Sequence, residues 1–310
     1  MTVQLAPIEA KTCVVRDTGS RRGRHVSVTP ATTAARHLHF GRIVLDSSDP
    51  MLTFSTEDRE TALICLKGTP LIRPFGPPSP RKQGEGHSMD VIESLSPREA
   101  GRGWREAPGE GPYELAQYDA LYIPRDTQVT IQPGPTGCDL AELAAPVENR
   151  YPTQLVRFED VQKNPALHFH TGGPSAERDL NVLIGKNVDA GRIMAGVTFS
   201  KPGNWTSWPP HEHARMLEEA YLYIDMPDPG WGLQLVYNDP REPELVAVVR
   251  EGDVVLMPQG YHPNVSAPGG TINFLWMMAA IREGEDRQFG VVNVQPAYAA
   301  GGSGLEASRK

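Results

Sequence analysis

Short runs of Val, Ile, Leu and Tyr, each ended by Gly, Pro, Asp or Ser, recur along most of this 310-residue chain and constrain its fold more than any other feature. Examples are GRIVLD from Gly41, YDALYIP from Tyr118 and ELVAVVREGDVVLMP from Glu244. Such runs are typical of β-strands. The chain also holds 30 Gly and 29 Pro, which disfavour helix interiors. The sequence therefore predicts an all-β fold, in which only short stretches, such as residues 157–163, are helical.

Charge and cysteine content exclude several classes of protein. The formal net charge of −8 argues against a general nucleic-acid-binding protein, which needs a basic face to neutralise phosphates. No apolar run reaches the roughly 18 residues of a membrane span, and the N-terminal residues lack the pattern of a signal peptide. The cysteines Cys13, Cys65 and Cys138 have no CxxC spacing, which argues against a disulfide scaffold. We therefore expect a cytoplasmic protein with neither nucleic acid nor membrane as a partner.

Two pairs of segments repeat in the same order along the chain. The run that begins at Glu60 resembles the run that begins at Glu219. Residues 119–124 resemble residues 253–258, with the same spacing from Asp to Pro. Similar β units in tandem predict two barrels or jelly rolls.

The repeat and the composition together suggest domain boundaries. We expect an N-terminal tail at 1–35, a degenerate N-terminal barrel at 36–150 and a C-terminal barrel at 151–310. The Pro/Gly-rich stretch near 70–112 carries few residues able to pack, and it is interpreted as an insertion loop of the first barrel.

One group of histidines predicts a metal site. In an extended strand His211 and His213 project on one face, because side chains alternate between faces. His262 follows about fifty residues later in a Pro-x-Gly turn. Paired imidazoles are ready metal ligands, and a carboxylate at the start of the next strand would complete the site.

Two other His-x-His pairs lack the accompanying carboxylate and third histidine. Neither His37 with His39 nor His168 with His170 is followed at a similar distance by a strand-leading carboxylate and a Pro-x-Gly-x-His turn. We interpret both pairs as surface or packing histidines.

The residues around His211 resemble known sequence motifs. Gly203, the His pair, a later Glu and the Gly, Pro, Gly and His of residues 252–262 resemble the two cupin motifs. More closely, GNWTSWPPHEH, LEEAYLY and GDVVLMPQGYHP, followed by NFLWMMAAIRE, resemble the 5-deoxy-glucuronate isomerase family of inositol breakdown. The related 4-deoxy-5-ketouronate isomerases share the metal pattern. The resemblance, strong over residues 180–285, implies a bicupin fold and a divalent metal held by three His and one Glu.

The resemblance also selects the carboxylate ligand. In the cupin pattern the Glu opens a strand that continues x-Tyr-x-Tyr, which implies Glu219 and places Glu218 on the opposite face. In the first half Glu60 takes the equivalent place, no His-x-His precedes it at the right distance, and Gln128 stands where His262 would. The N-terminal barrel is therefore expected to be structural and free of metal.

The implied activity is the aldose–ketose isomerisation of a deoxyuronic acid, 5-deoxy-glucuronate to 5-dehydro-2-deoxy-gluconate, with Mn, Zn, Ni or Fe as the metal. The small-molecule partner is a sugar acid, and a homo-oligomer is left open. Family members commonly have PPHKHD where this chain has Pro-Pro-His211-Glu212-His213-Ala214, so two charged residues beside the site differ while the implied metal ligands are kept. The alternatives are a cupin dioxygenase using Fe(II) and a non-catalytic cupin that binds sugar acids.

Such an isomerase needs a group that transfers a proton and a cation for the substrate carboxylate. The candidates for proton transfer are Glu218, Glu212 and Tyr261; a metal-assisted hydride shift is the alternative. Arg282, also a catalytic candidate, and Lys201 lie next to site-bearing segments and are candidates for the carboxylate. Trp205 is a candidate substrate contact, with packing in the core as its alternative.

Overall fold

The computed structural model describes residues 4–76 and 111–301, and these residues are almost entirely strands and turns. The prediction of a fold that is nearly all β is confirmed, and the short helix expected at 157–163 is present. The part of the chain that the structure describes contains no helix long and apolar enough to cross a membrane. Most of the insertion predicted near 70–112 lies outside the described residues.

The elements up to residue 156 are as follows: α1 (Ala10–Cys13), β1 (Val14–Val15), β2 (Gly23–Val28), β3 (His39–Leu45), β4 (Leu52–Ser55), β5 (Arg59–Gly68), β6 (Leu71–Phe75), β7 (Tyr113–Glu114), β8 (Ala120–Ile123), β9 (Gln128–Gln132), β10 (Cys138–Pro146) and β11 (Gln154–Val156). The elements after that residue are α2 (Phe158–Lys163), β12 (His168–Thr171), β13 (Arg178–Ile184), β14 (Ile193–Ser200), β15 (Trp205–Thr206), β16 (His211–Glu212), β17 (Leu217–Tyr223), β18 (Gly232–Val236), β19 (Leu245–Val249), β20 (Val254–Met257), β21 (Asn264–Ser266), β22 (Phe274–Ala280), β23 (Asn293–Val294) and a 3₁₀ helix (Pro296–Gly301).

Side-chain alternation decides which face of each strand is buried. In β19, Leu245, Ala247 and Val249 are buried whereas Val246 and Val248 are exposed, as expected for an outer strand with one solvated face. Every residue of β17 is buried, because β17 lies in the middle of its sheet and both faces of that sheet are covered. A strand covered on both faces can direct neighbouring residues into two different interiors.

Two large antiparallel sheets form the centre of the molecule. The first large sheet has the order β11-β8-β5-β10-β3-β2, and the second has the order β1-β20-β17-β22-β14-β13-β12. A four-stranded sheet, β4-β9-β6-β7, belongs with the first, and β15-β21-β18-β19 belongs with the second. A hydrophobic cluster joins the two large sheets, with Ala62 and Ile64 of β5 in the same cluster as Met194 and Ala195 of β14. The opposite face of β5 contributes Leu63 to a separate core within the first half.

The two halves exchange their first strands. The segment predicted as an N-terminal tail contains β1, which pairs with β20 through Val14 and Val255 in the second large sheet. In return, β11 pairs with β8 through Leu155 and Leu121 in the first large sheet. The polar composition of the tail concealed β1, because a two-residue strand carries almost no hydrophobic pattern.

The strand registers correct the predicted alignment of Glu60. Thr61 lies opposite Ile123 across β5 and β8, and Glu219 lies opposite Met257 across β17 and β20. Ile123 and Met257 each directly precede the Pro that ends a repeated Asp-to-Pro run. Thr61 is therefore the counterpart of Glu219, and the prediction that placed Glu60 there is wrong by one residue. Two consecutive glutamates in LEEAYLY allowed either alignment by sequence alone.

Candidate metal centre

Three histidine rings meet beside β17, and a backbone carbonyl orients each of them. Nδ1 of each ring lies 2.9 to 3.1 Å from a carbonyl oxygen, which accepts the Nδ1 proton. The pairs are His211 with Pro209, His213 with Leu217, and His262 with Gly260. With the proton on Nδ1, the lone pair of Nε2 is left for another partner, which is the usual arrangement of histidine metal ligands.

The Nε2 atoms converge with a carboxylate. The candidate ligand atoms of the three histidines all lie within 4.8 Å of one another. Oε2 of Glu219 lies 3.0 Å from Nε2 of His213 and 3.1 Å from Nε2 of His262. Nε2 of His262 is buried and has no partner with hydrogen-bond geometry among the described residues. A buried polar atom needs a partner, and three imidazoles with one carboxylate fit a divalent metal.

The protonation states of His211 and Glu219 suit the same role. Burial, with the neighbouring His262 and His213, lowers the pKa of His211 to about 3. Burial would raise the pKa of Glu219, but the adjacent imidazoles of His213 and His262 hold it at about 2. A neutral imidazole and an ionised carboxylate are the forms that bind cations, and these pKa values place His211 and Glu219 in them at neutral pH. Burial would lower the pKa of His213, but the hydrogen bond and the charge of Glu219 raise it above its usual value.

A glycine turn positions His262. Gly260 has a φ of +82°, and a Cβ at this position would lie 2.7 Å from the backbone oxygen of Tyr237. Only glycine avoids both the left-handed strain and this contact. The carbonyl of Gly260 also accepts the Nδ1 proton of His262, so the turn both carries and orients this ring.

A pocket opens beside Glu219, on the face of the second large sheet that carries the histidines. Its walls include Arg178, Ser207, Tyr221, Phe274, Trp276 and Val294. The indole of Trp276 lies over Gly196 of β14, where a Cβ would come within 2.2 Å of Cζ2. Oη of Tyr221 and Oγ of Ser207 are buried and lie 2.7 Å apart. The pocket therefore combines apolar walls with a few polar groups next to the histidines, as small-molecule sites usually do.

The pocket includes a cation that sequence reasoning missed. Arg178, the first residue of β13, is 5% exposed and lines the pocket. Its guanidinium donates to the backbone oxygens of Ala176 (2.9 Å) and Trp208 (2.7 Å). Burial lowers the pKa of Arg178 to about 10, which leaves it protonated at neutral pH. The Arg-x-Leu alternation that opens β13 was the only available signal, since it directs Arg178 and Leu180 to one face.

Both glutamates proposed for proton transfer lie outside this pocket. The buried carboxylate of Glu218 is on the opposite face of β17, where it accepts the backbone N–H groups of residues 36–38. Glu212 accepts the backbone N–H of Ala214 and the side-chain amide of Asn293. Strand alternation predicted the opposite faces of Glu218 and Glu219, and the same alternation removes Glu218 as a candidate base.

Tyr261 and Arg282 are not brought to the pocket walls either. Tyr261 forms a β-bridge with Tyr237, and the two rings lie 5.8 Å apart. The guanidinium of Arg282 is largely exposed and forms ion pairs of 2.5 Å with Glu285 and Asp286. Its side chain thus stabilises the turn after β22 and does not line the pocket.

The remaining predicted contacts are also peripheral. Lys201 is exposed on the turn after β14, and the ring of Trp205 packs 5.5 Å from that of Trp208, which does line the pocket. Of the other histidine pairs, exposed His170 contacts Asp179 at 3.0 Å. In the described ranges, the only cluster of three potential metal ligands is the one formed by His211, His213 and His262.

Comparison with known proteins identifies the family. The sequence model of the KduI/IolB family matches residues 103–295 of this chain. The chain belongs to the KduI/IolB family. A relative from Geobacillus thermodenitrificans, named 5-deoxy-glucuronate isomerase, is 30% identical over 258 residues, which cover 81% of this chain and 82% of the relative. A relative of the same name from Halalkalibacterium halodurans is 31% identical over 53% of this chain and 62% of its own length. As a member of the KduI/IolB family, the chain is an isomerase.

Solved structures show the same fold. The crystal structure of an IolB-like protein from Salmonella typhimurium matches with a TM-score of 0.70 and 21% identity, covering 93% of this chain and 98% of that one. Oxalate decarboxylase from Bacillus subtilis, whose Mn(II) centres are the subject of one such structure, matches with a TM-score of 0.57 and 10% identity over 89% of this chain and 80% of its own. These similarities show that this KduI/IolB member has a cupin-like fold.

Proposed function

We propose that this chain is a metal-dependent aldose–ketose isomerase that converts 5-deoxy-glucuronate to 5-dehydro-2-deoxy-gluconate in inositol catabolism. The names of the relatives support the substrate. The observation that carries the metal dependence is the convergence of three Nε2 atoms and Glu219, with every Nδ1 anchored to a carbonyl.

In this proposal His211, His213, His262 and Glu219 hold one divalent cation, with Mn, Zn, Ni and Fe as candidates. When bound, the cation supplies a Lewis acid that stabilises negative charge developing on the substrate oxygens. The likeness in fold to a protein with Mn(II) centres is compatible with this assignment.

The chain itself supplies orientation and exclusion of water. The hydroxyls of Ser207 and Tyr221 form a buried hydrogen bond of 2.7 Å and are placed to bind substrate hydroxyls. Burial raises the pKa of Tyr221 well above its usual value, so its phenol keeps its proton at neutral pH. Phe274 and Trp276 form an apolar wall that limits access of water to the reacting carbons.

The proposal includes two cupin units, with the boundary near residues 150 and 151. The matched registers of β5 with β8 and of β17 with β20 support a duplication, as does the reciprocal exchange of β1 and β11. The metal centre belongs to the second unit, whereas Thr61 replaces the ligand Glu in the first.

A direct assay tests the function. Purified protein loaded with a divalent metal is incubated with 5-deoxy-glucuronate, and the ketose is detected by NMR while dissolved oxygen is recorded. We expect conversion without oxygen consumption. Conversion that consumes oxygen would instead identify a dioxygenase, and the absence of any conversion with each of the four metals would refute the proposal.

A further inference from the structure

Arg178 is a buried cation for which the described residues offer no counter-charge. No carboxylate oxygen of these residues lies within 4.0 Å of its guanidinium nitrogens. The ionisable pocket residue that acts on its charge is Tyr221, and that buried phenol is uncharged at neutral pH. Charged side chains are rarely buried unless they are paired, because removal from water costs several kcal/mol per ion.

Another arginine in the same chain shows the usual arrangement. Arg42 is also 5% exposed, and its Nε and Nη2 atoms donate to the two carboxylate oxygens of Asp139 at 2.7 and 2.6 Å. Arg178 has the same exposure and a different set of partners, which are two backbone carbonyls. The carbonyls fix the plane of the guanidinium but do not neutralise it.

The position of Arg178 suggests what the missing partner is. A guanidinium has five N–H groups, and the carbonyls of Ala176 and Trp208 each take one of them. The remaining N–H groups belong to a side chain that lines the same pocket as His211 and Glu219. Nε1 of Trp276, in another wall of this pocket, is a second buried donor without a partner among the described residues.

We propose that Arg178 binds the carboxylate of the sugar acid and makes this pocket selective for uronates over neutral sugars. The inference rests on the proposed function for the identity of the sugar, but the anion subsite follows from the geometry alone. A fixed, desolvated guanidinium matches the two oxygens of a carboxylate. Lys201 and Arg282, the cations expected from sequence, are exposed and do not line the pocket.

A pair of probes of nearly equal shape tests this subsite without turnover. Binding of D-glucuronate and of its neutral amide, D-glucuronamide, to metal-loaded protein is measured by calorimetry. We expect the wild-type protein to prefer glucuronate by about tenfold to a hundredfold, the value of one charge-assisted hydrogen bond. In Arg178→Gln this preference falls to about onefold. Equal binding of both probes by the wild-type protein would overturn the proposal.

A matched arginine provides the control. Arg192 also donates to backbone carbonyls, those of Pro146, Ala280 and Ile281, but does not line the pocket. Arg192→Gln should keep the preference for glucuronate. If Arg178 has only a structural role, Arg178→Gln should keep this preference too. If Arg178→Gln does not fold, Arg178→Lys replaces it, and it should lower the preference while retaining part of it. An unchanged preference in Arg178→Lys would contradict bidentate binding by Arg178.

The outcomes separate this inference from the proposed function. If the protein prefers glucuronate through Arg178 but does not convert 5-deoxy-glucuronate, the anion subsite is supported and the proposed reaction is refuted. If Arg178→Gln converts 5-deoxy-glucuronate as well as the wild-type protein does, with unchanged KM, the reaction is supported and the anion subsite is refuted.

Discussion

Glu218 and Glu219 are adjacent in sequence and have opposite surroundings. The carboxylate of Glu219 lies among imidazoles, whereas that of Glu218 accepts backbone N–H groups from residues 36–38. Glu60 has the same role in the first half, where it accepts the N–H groups of residues 191–193. Each half thus anchors a backbone segment of the other with one buried carboxylate.

This contrast predicts different consequences for two conservative substitutions. Glu219→Gln removes the proposed anionic ligand and should lower the bound metal well below one equivalent, measured by metal analysis after dialysis. Glu218→Gln should keep the metal but lower the free energy of unfolding by about 1–3 kcal/mol in urea titrations, because charge-assisted hydrogen bonds are weakened. Equal metal loss in both variants would contradict the assignment of the two faces.

At this scale the sequence predicted the convergence of the candidate ligands better than it predicted the pocket. The two sequence motifs and strand alternation were sufficient to bring His211, His213 and Glu219 to one face. The pocket walls come from strands distant in sequence, and the short Arg-x-Leu alternation that opens β13 was too weak a signal to favour Arg178 over the solvated Lys201. Proximity in sequence to a site-bearing segment proved a poor guide to proximity in space.

At the scale of elements, the segment after β22 covers the pocket. β23 pairs with β16, where Val294 lies opposite His211. Phe289 stacks on Trp276 with ring centroids 5.1 Å apart and an interplanar angle of 17°. The sequence of this segment, EGEDRQFGVVNVQPAY, gave no sign of this role, because its contacts are with residues far away in the chain.

Truncation of this stacked ring should weaken substrate binding and leave the metal in place. Phe289→Ala removes one wall of the pocket, and we expect KM for 5-deoxy-glucuronate to rise about two- to tenfold, the value of an aromatic pair. Steady-state kinetics and metal analysis measure the two effects. Val246→Ala, at an exposed position of β19, serves as the control and should change neither quantity. An unchanged KM in Phe289→Ala would show that the segment does not contact the substrate.

At the scale of the whole molecule, the larger of the two hydrophobic cores spans both halves. The hydrophobic cluster that contains Ala62 of the first large sheet also contains Leu217 of the second, and the exchanged strands β1 and β11 cross between halves. A repeat in the sequence predicted two units, but it could not show that they are joined so closely. That information lies in contacts between residues far apart in the chain, such as Val14 with Val255.

A shared core predicts cooperative unfolding. Because loss of one large sheet exposes the apolar face of the other, we expect one calorimetric transition whose van't Hoff enthalpy equals the measured enthalpy. Two resolved transitions, with only one of them sensitive to added metal, would show that the halves unfold independently.

The central claim is that His211, His213, His262 and Glu219 hold a divalent metal required for isomerisation. The most direct measurement is the rate of 5-deoxy-glucuronate conversion by chelator-stripped protein, before and after a divalent metal is returned, in the wild-type protein and in His262→Ala. We expect the stripped wild-type protein to be inactive and to recover its rate with metal, whereas folded His262→Ala stays inactive. A full rate in the stripped protein, or in His262→Ala, would contradict the account.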